Sequence, residues 1–284
     1  MPLTWLISGA SSGLGASLAM EALKAGHKVI ATARNVPKAQ SDYPFIEEHG
    51  GKWLLLDVTS PDVQSTVSET VKESNVDVLV NNAGYGLTGP LEELELDSIR
   101  QLWETNYFGL LACSKGAIPH FRTRKSGTIV NISSVAGIRA NPGYSQYSGS
   151  KFAVEGVSES LAGELAPFNI RVLLVEPGSF RTNFYSGVAS VDASSAYAGT
   201  PADDIPKKFI TGMGKQPGDP EKATQAIVEV VARQGRGSDA GVGTALRMPL
   251  GKDSVQAAYT KMEAWKKDVD TMKHISEWAV YPDA

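Results

Sequence analysis

Cysteine is almost absent. The chain of 284 residues carries only Cys113, which excludes an intrachain disulfide, and its setting in the apolar run G-L-L-A-C marks it for core packing. Histidine is sparse too: His27, His49, His120 and His274 show no metal-ligand spacing, and no Ser-His-Asp arrangement is suggested. No apolar run approaches the roughly 18 to 20 residues of a membrane span. The first residues lack the positive leader and long apolar stretch of a signal peptide, so a cytoplasmic protein is expected. Excess charge is missing as well. With a net charge of −4 and 20% charged residues there is no electrostatic reason to expect nucleic acid or an anionic membrane as partner. Neither an internal repeat nor a low-complexity segment divides the chain, whose length and 42% hydrophobic content suffice for one well-buried core.

What is present is a recurring strand, turn and helix. Trp5 to Ser8 is a short apolar run that meets G-A-S-S-G-L-G, after which Leu14, Leu18 and Ala22 recur at helical spacing. Gly9, Gly13 and Gly15 let the backbone turn tightly and approach a pyrophosphate, while the helix N-terminus offers unpaired N–H groups. The spacing is G-x3-G-x-G rather than the general dinucleotide pattern, and a glycine cluster alone also serves as a plain turn. A second strand, Lys28 to Ala33, ends at Arg34. An acid there would bind the ribose 2′-hydroxyl of NAD, whereas an arginine accommodates the 2′-phosphate of NADP. Arg34 therefore argues for NADP(H), with Ser12 a second phosphate contact.

The alternation continues. Strands are expected at Lys52 to Leu56, ending in Asp57, at Val76 to Val80, running into N-N-A-G (81–84), at Thr128 to Ile132 and at Ile170 to Val175. Ser60-Pro61 reads as a helix start. Leu91 to His120 reads as helix, and Asn106 within it is unfavourable by propensity and needs a reason. Gln146 to Ala166 is a further helix. Residues 183 to 215, rich in Ser, Ala and Gly, read as a mobile substrate loop. Asp219 caps a helix with Ala223, Ile227, Val228 and Val231 toward the core, and Thr244 to Met248 is a last strand. Val255, Tyr259, Met262, Val269 and Met272 repeat at helical spacing in the tail; such a stripe usually lies on its own domain, with a dimer contact or a pocket cover as alternatives. Strands alternating with helices predict an α/β fold, a doubly wound parallel sheet (Rossmann fold), with polar motifs gathered at one sheet edge.

The chemistry centres on Ser133 to Lys151. In a helix, Tyr147 and Lys151 stand one turn apart on one face. A tyrosine with a pKa of about 10 exchanges protons poorly near neutrality unless a positive charge stabilises its phenolate, and Lys151 is such a charge.

Taken together, S-G-A-S-S-G-L-G, D-V, N-N-A-G, Asn106, Ser134, Y-S-G-S-K and P-G-S-F-R-T resemble the short-chain dehydrogenase/reductase family over roughly Leu3 to Asn183. One departure is Ser8, where the family usually has threonine. The resemblance implies a catalytic tetrad of Asn106, Ser134, Tyr147 and Lys151, with Ser134 preferred to Ser133 by its spacing to the tyrosine. It also implies a cofactor site of Gly9, Ser11, Ser12, Gly13, Leu14, Gly15, Arg34, Asp57, Val58, Asn82, Gly84, Tyr147, Lys151, Pro177, Phe180 and Thr182. Ser134 would bind the substrate carbonyl, Tyr147 would exchange the hydroxyl proton, Lys151 would lower the tyrosine pKa and hold the nicotinamide ribose, and Asn106 would hold a water. The segment A-T-A-R-N and the long C-terminal region resemble 17β-hydroxysteroid and retinol dehydrogenases, which implies a fairly large apolar ketone or alcohol. Family habit implies a homodimer or homotetramer through the helices bearing Asn106 and Tyr147. The expected layout is a single domain: cofactor and catalytic core 1–182, substrate loop 183–217, and a C-terminal region 218–284 covering the substrate. A non-catalytic NADP-binding sensor or scaffold, or a biosynthetic isomerase or cyclase, would share this fold.

Overall fold

A computed structural model describes residues 1–281; the last three positions of the expected 218–284 region lie outside the described residues. The strands are β1 (Thr4–Ile7), β2 (Lys28–Ala33), β3 (Lys52–Leu55), β4 (Val78–Asn81), β5 (Leu87–Thr88), β6 (Gly127–Ile132), β7 (Ile170–Pro177), β8 (Ala189–Ser190) and β9 (Arg247–Leu250). Seven of them form one sheet in the order β3-β2-β1-β4-β6-β7-β9, parallel throughout. The order reverses beside β1, where β4 leaves on the opposite side from β2. That switch point opens a crevice at the carboxyl edge, where ligands bind in such sheets.

Period-two alternation along the strands separates two apolar layers. Trp5, Ile7, Val29, Ala31, Val130, Leu173 and Val175 face the helices Gly13–Lys24 and Pro220–Ala232, through Leu18, Ala22, Ile227 and Val231. Leu6, Ile30, Leu79, Ile129 and Val172 face the opposite way onto Val67, Val71, Cys113, Ala117 and Phe121. Cys113 is thus a core side chain, and burial pushes its thiol pKa up to about 12.

Several elements differ from expectation. The stretch from Leu91 is a 3-10 turn (Leu91–Glu93), an α-helix (Leu96–Trp103), a π-helical turn (Glu104–Phe108) and a second α-helix (Gly109–Arg124). Asn106 sits in the π turn, which answers why a poor helix former stands there. The helix after β3 starts at Val63 behind Asp62, not at Ser60-Pro61, because the Ser60 hydroxyl instead accepts the Asp62 N–H at 3.3 Å in the preceding turn. Residues 183 to 215 contain the helix Pro201–Thr211. At the last strand, residues 240–244 form a helical turn that Asp239 caps through the Gly241 N–H, so β9 starts only at Arg247. Asp219 caps its helix as expected, accepting from Glu221 N and Lys222 N.

The largest departure is the tail. The helix Lys252–Ser276 buries Ser254 and Ala257 at its root, but from Tyr259 onward its apolar stripe is exposed and covers no part of its own domain. No helix among the described residues is long and apolar enough to cross a membrane.

Candidate active site

The carboxyl ends of β1, β2, β4, β6 and β7 converge on a cavity of about 710 Å³. Its floor is built first by glycine. Gly9 has φ +63° and an added Cβ would stand 2.8 Å from the Ala83 Cα, while Gly13 has φ +55° at the helix start. Ser12 is extended and does not cap the helix with its side chain. Asn82 crosses from β4 and donates through Nδ2 to the carbonyls of Ser8 and Gly9, both at 3.0 Å. The Ser8 hydroxyl accepts from Asn82 N at 2.9 Å and Ala83 N at 3.1 Å. The glycine turn and the N-N-A-G turn are therefore one hydrogen-bonded unit.

Gly9, Ser11, Ser12, Gly13, Leu14, Arg34, Asp57, Val58, Asn82, Gly84, Ser134, Tyr147, Lys151, Pro177, Phe180 and Thr182 all line this cavity. Gly15 and Asn106 do not. Gly15 is buried behind the turn, where a Cβ would collide with Asn82 and the Gly9 carbonyl. Asn106 is buried one layer back, accepting from Tyr85 N at 3.0 Å and donating to Tyr85 O at 3.0 Å and to the Ser150 hydroxyl at 3.2 Å. Asp57 accepts the N–H and hydroxyl of Thr59, which fixes its carboxylate at the cavity wall. Arg34 is exposed at the rim, and its positive charge partly offsets the upward pull of burial on the Tyr85 phenol pKa.

Tyr147 and Lys151 lie on the helix Ser145–Leu165 and are 7% and 5% exposed. The Lys151 ammonium donates to Ile132 O at 2.9 Å and lies 5.9 Å from the centre of the Tyr147 ring. Burial disfavours its charged form and lowers its pKa to about 8, against a smaller upward pull from Glu155. The two adjacent serines divide their work. Both line the cavity, but the buried Ser133 donates its hydroxyl to Glu155, whereas the half-buried Ser134 hydroxyl accepts from Ala136 N at 3.1 Å.

Two groups near the site escaped the sequence reading. Glu155, one turn beyond Lys151, joins Glu176 and Glu159 around Arg247 of β9, and burial plus the neighbouring Glu155 raises the Glu176 pKa. Its i+4 spacing from Lys151 was the available signal. Tyr144, Phe184 and Phe209 form an aromatic wall, with Tyr144 in edge contact with Phe209 at 5.4 Å between centres and Phe184 at 5.8 Å from Tyr147. Phe209 comes from the unexpected helix Pro201–Thr211. No residue of 218–281 lines the cavity, so the cover expected of the C-terminal region is supplied by 183–217 instead.

Comparison with known proteins follows the same outline. The family model described as short chain dehydrogenase matches residues 4–191. An oxidoreductase of Passalora fulva, claN, is 48% identical over 217 residues, covering 76% of this chain and 99% of its own. Human retinol dehydrogenase 8 is 36% identical over 247 residues, covering 81% of this chain and 78% of its own. Among solved structures, a short-chain dehydrogenase from Streptomyces avermitilis superposes with a TM-score of 0.87 at 35% identity, covering 99% of this chain and all of the other. A metagenomic short-chain oxidoreductase in complex with NADP superposes with a TM-score of 0.58 at 32% identity, over 63% of this chain and 83% of the other.

Proposed function

The chain belongs to the short chain dehydrogenase family, and from that premise we propose that it is an NADP(H)-dependent oxidoreductase interconverting a ketone or aldehyde with its alcohol. The observation that carries this reading is the buried Lys151 ammonium beside the Tyr147 ring, in the same cavity as the glycine cradle. A buried lysine is costly, and a site that keeps one next to a phenol has a use for the charge.

The residues present fit the dinucleotide. Gly9, Gly13 and the Ser12 to Leu14 helix start leave room for backbone approach to a pyrophosphate, and Arg34, just past β2 on the cavity rim, would meet a 2′-phosphate. The NADP held by the metagenomic relative supports the same assignment. When bound, the nicotinamide supplies hydride to a carbonyl carbon or accepts it from a carbinol.

The chain's own residues do the rest. In reduction, the Ser134 hydroxyl donates to the carbonyl oxygen, and Tyr147 delivers its phenolic proton to the oxygen as negative charge develops there. Lys151 stabilises the resulting phenolate. Asn106 holds the Tyr85 segment and keeps one Oδ1 lone pair for a water that links Lys151 to solvent. Ser133 is a poor substitute for Ser134 because its hydroxyl is committed to Glu155. The aromatic wall suits a fairly large apolar substrate, in keeping with the retinol dehydrogenase relative. By family habit the subunits also pair through the helices bearing Asn106 and Tyr147.

Turnover is followed as NADPH consumption against a panel of apolar ketones and aldehydes. Tyr147→Phe should lower it by about 10²- to 10⁴-fold while NADPH still quenches protein fluorescence. A variant that turns over normally would remove the tyrosine from the mechanism.

A further inference from the structure

The helix Lys252–Ser276 leaves the body after its first two turns. Its root is firmly held: Asp253 accepts from Ser179 N at 2.7 Å and the Ser254 hydroxyl donates to Glu176 O at 2.7 Å. Beyond that, every residue from Tyr259 to Tyr281 is exposed, including Met262, Trp265, Val269 and Met272. Helical stability in proteins comes mostly from packing of an apolar face, and exposed ion pairs such as Lys266–Asp270 add little to it. An apolar stripe on such an arm calls for a covering surface.

The spacing of the stripe identifies the kind of surface. Val255, Ala258, Met262, Trp265, Val269 and Met272 follow one another at intervals of three, four, three, four and three residues. That is the spacing of the a/d seam of a coiled coil, flanked by the exposed Tyr259 and Ile275. The flanks of the seam carry both signs of charge, with Lys261 and Asp268 on one side and Lys266 and Lys273 on the other. A membrane-surface helix would instead present a broader apolar face and a polar face dominated by Lys and Arg.

We propose that the arm pairs antiparallel with the same helix of a second copy of this chain. Crossing near Met262 and Trp265 sets Lys261 beside the partner's Asp268, and two-fold symmetry makes that contact twice. A parallel pair would set Lys261 beside the partner's Lys266. In the single chain Lys261 rests 5.8 Å from the centre of the half-exposed Phe152 ring, and the pair exchanges this weak contact for a carboxylate. This pairing is additional to any association through the helices bearing Asn106 and Tyr147. It is independent of the proposed chemistry, because no arm residue lines the cavity.

Sedimentation of the full chain at micromolar concentration tests the pairing. Lys261→Glu should weaken one assembly step about tenfold by creating two like-charge contacts. Adding Asp268→Lys to it should restore assembly, and Met262→Asp should abolish that step, with circular dichroism and turnover unchanged. A wild-type monomer, masses indifferent to Lys261→Glu and Met262→Asp, or a double variant as dissociated as the single one would overturn the proposal. So would flotation with phosphatidylcholine–phosphatidylserine vesicles that Met262→Asp abolishes while the sedimenting mass stays constant.

Discussion

Lys151 shows what the site costs. Its pKa, lowered to about 8 by burial, means that below pH 8 the folded chain carries a charge it would rather expose. Between about pH 8 and 10.5 the unfolded chain binds more protons at this position, so stability rises with pH across that window. Lys151→Met should therefore stabilise the fold at pH 7 by roughly 2 kcal/mol: about 3 for the relieved charge, less about 1 for the hydrogen bond lost at Ile132 O. By pH 10.5 the charge relief is nearly gone and the lost hydrogen bond remains, so the variant should there be slightly less stable than wild type, as urea unfolding at the two pH values would measure, and turnover should be lost throughout. Arg34 gives a separate test, since Arg34→Ala should raise the KM for NADPH about ten- to hundredfold and leave that for NADH unchanged in steady-state assays. At this scale the sequence was informative. Tyr147, Lys151 and Arg34 announce themselves by type and spacing, whereas the Ser133–Glu155 bond depends on how β6 and the tyrosine helix face each other, which no local pattern encodes.

Among the elements, the strand ends were legible and the interrupted helices were not. β2 begins and ends where its apolar run does, and each parallel strand terminates in the turn residues that its composition announces. The π turn at Glu104–Phe108 arises from tertiary demand, because Asn106 must reach the backbone of Tyr85 on another segment. Pro206 and the Ser- and Gly-rich surroundings hid the helix Pro201–Thr211. Its signals were nevertheless present: Pro201 in the first turn, acids at Asp203 and Asp204, and Ile205 and Phe209 one turn apart. Ser8 offers a test of how these elements are joined. Its hydroxyl accepts two backbone N–H groups from the turn after β4, so Ser8→Ala leaves both without that partner. Ser8→Ala should lower unfolding free energy by about 1 to 3 kcal/mol in urea titration, whereas Ser8→Thr should stay close to wild type.

At the scale of the whole molecule, a rigid half and a loose half meet at the cavity. The sheet and its two apolar layers hold the cofactor edge, while the aromatic wall hangs on 183–217, most of whose residues are exposed. This segment touches the sheet side through few bonds, among them the β5–β8 pairing of Leu87 with Ala189 and of Thr88 with Ser190. Local opening is cheapest where buried apolar contacts are fewest. The cover, rather than the sheet, is therefore the part with the lowest barrier to opening over the cavity bounded by Tyr144, Phe184 and Phe209. Apart from the exposed arm, limited subtilisin digestion should cut first within 186–200 and leave the segment bearing β1 to β7 uncut. NADPH together with a ketone substrate should slow that cut several-fold without altering global unfolding in the same proportion, as mass spectrometry of the timed digest would register. First cleavage inside the sheet, or equal protection of all sites, would mean that the cover does not open independently of the core.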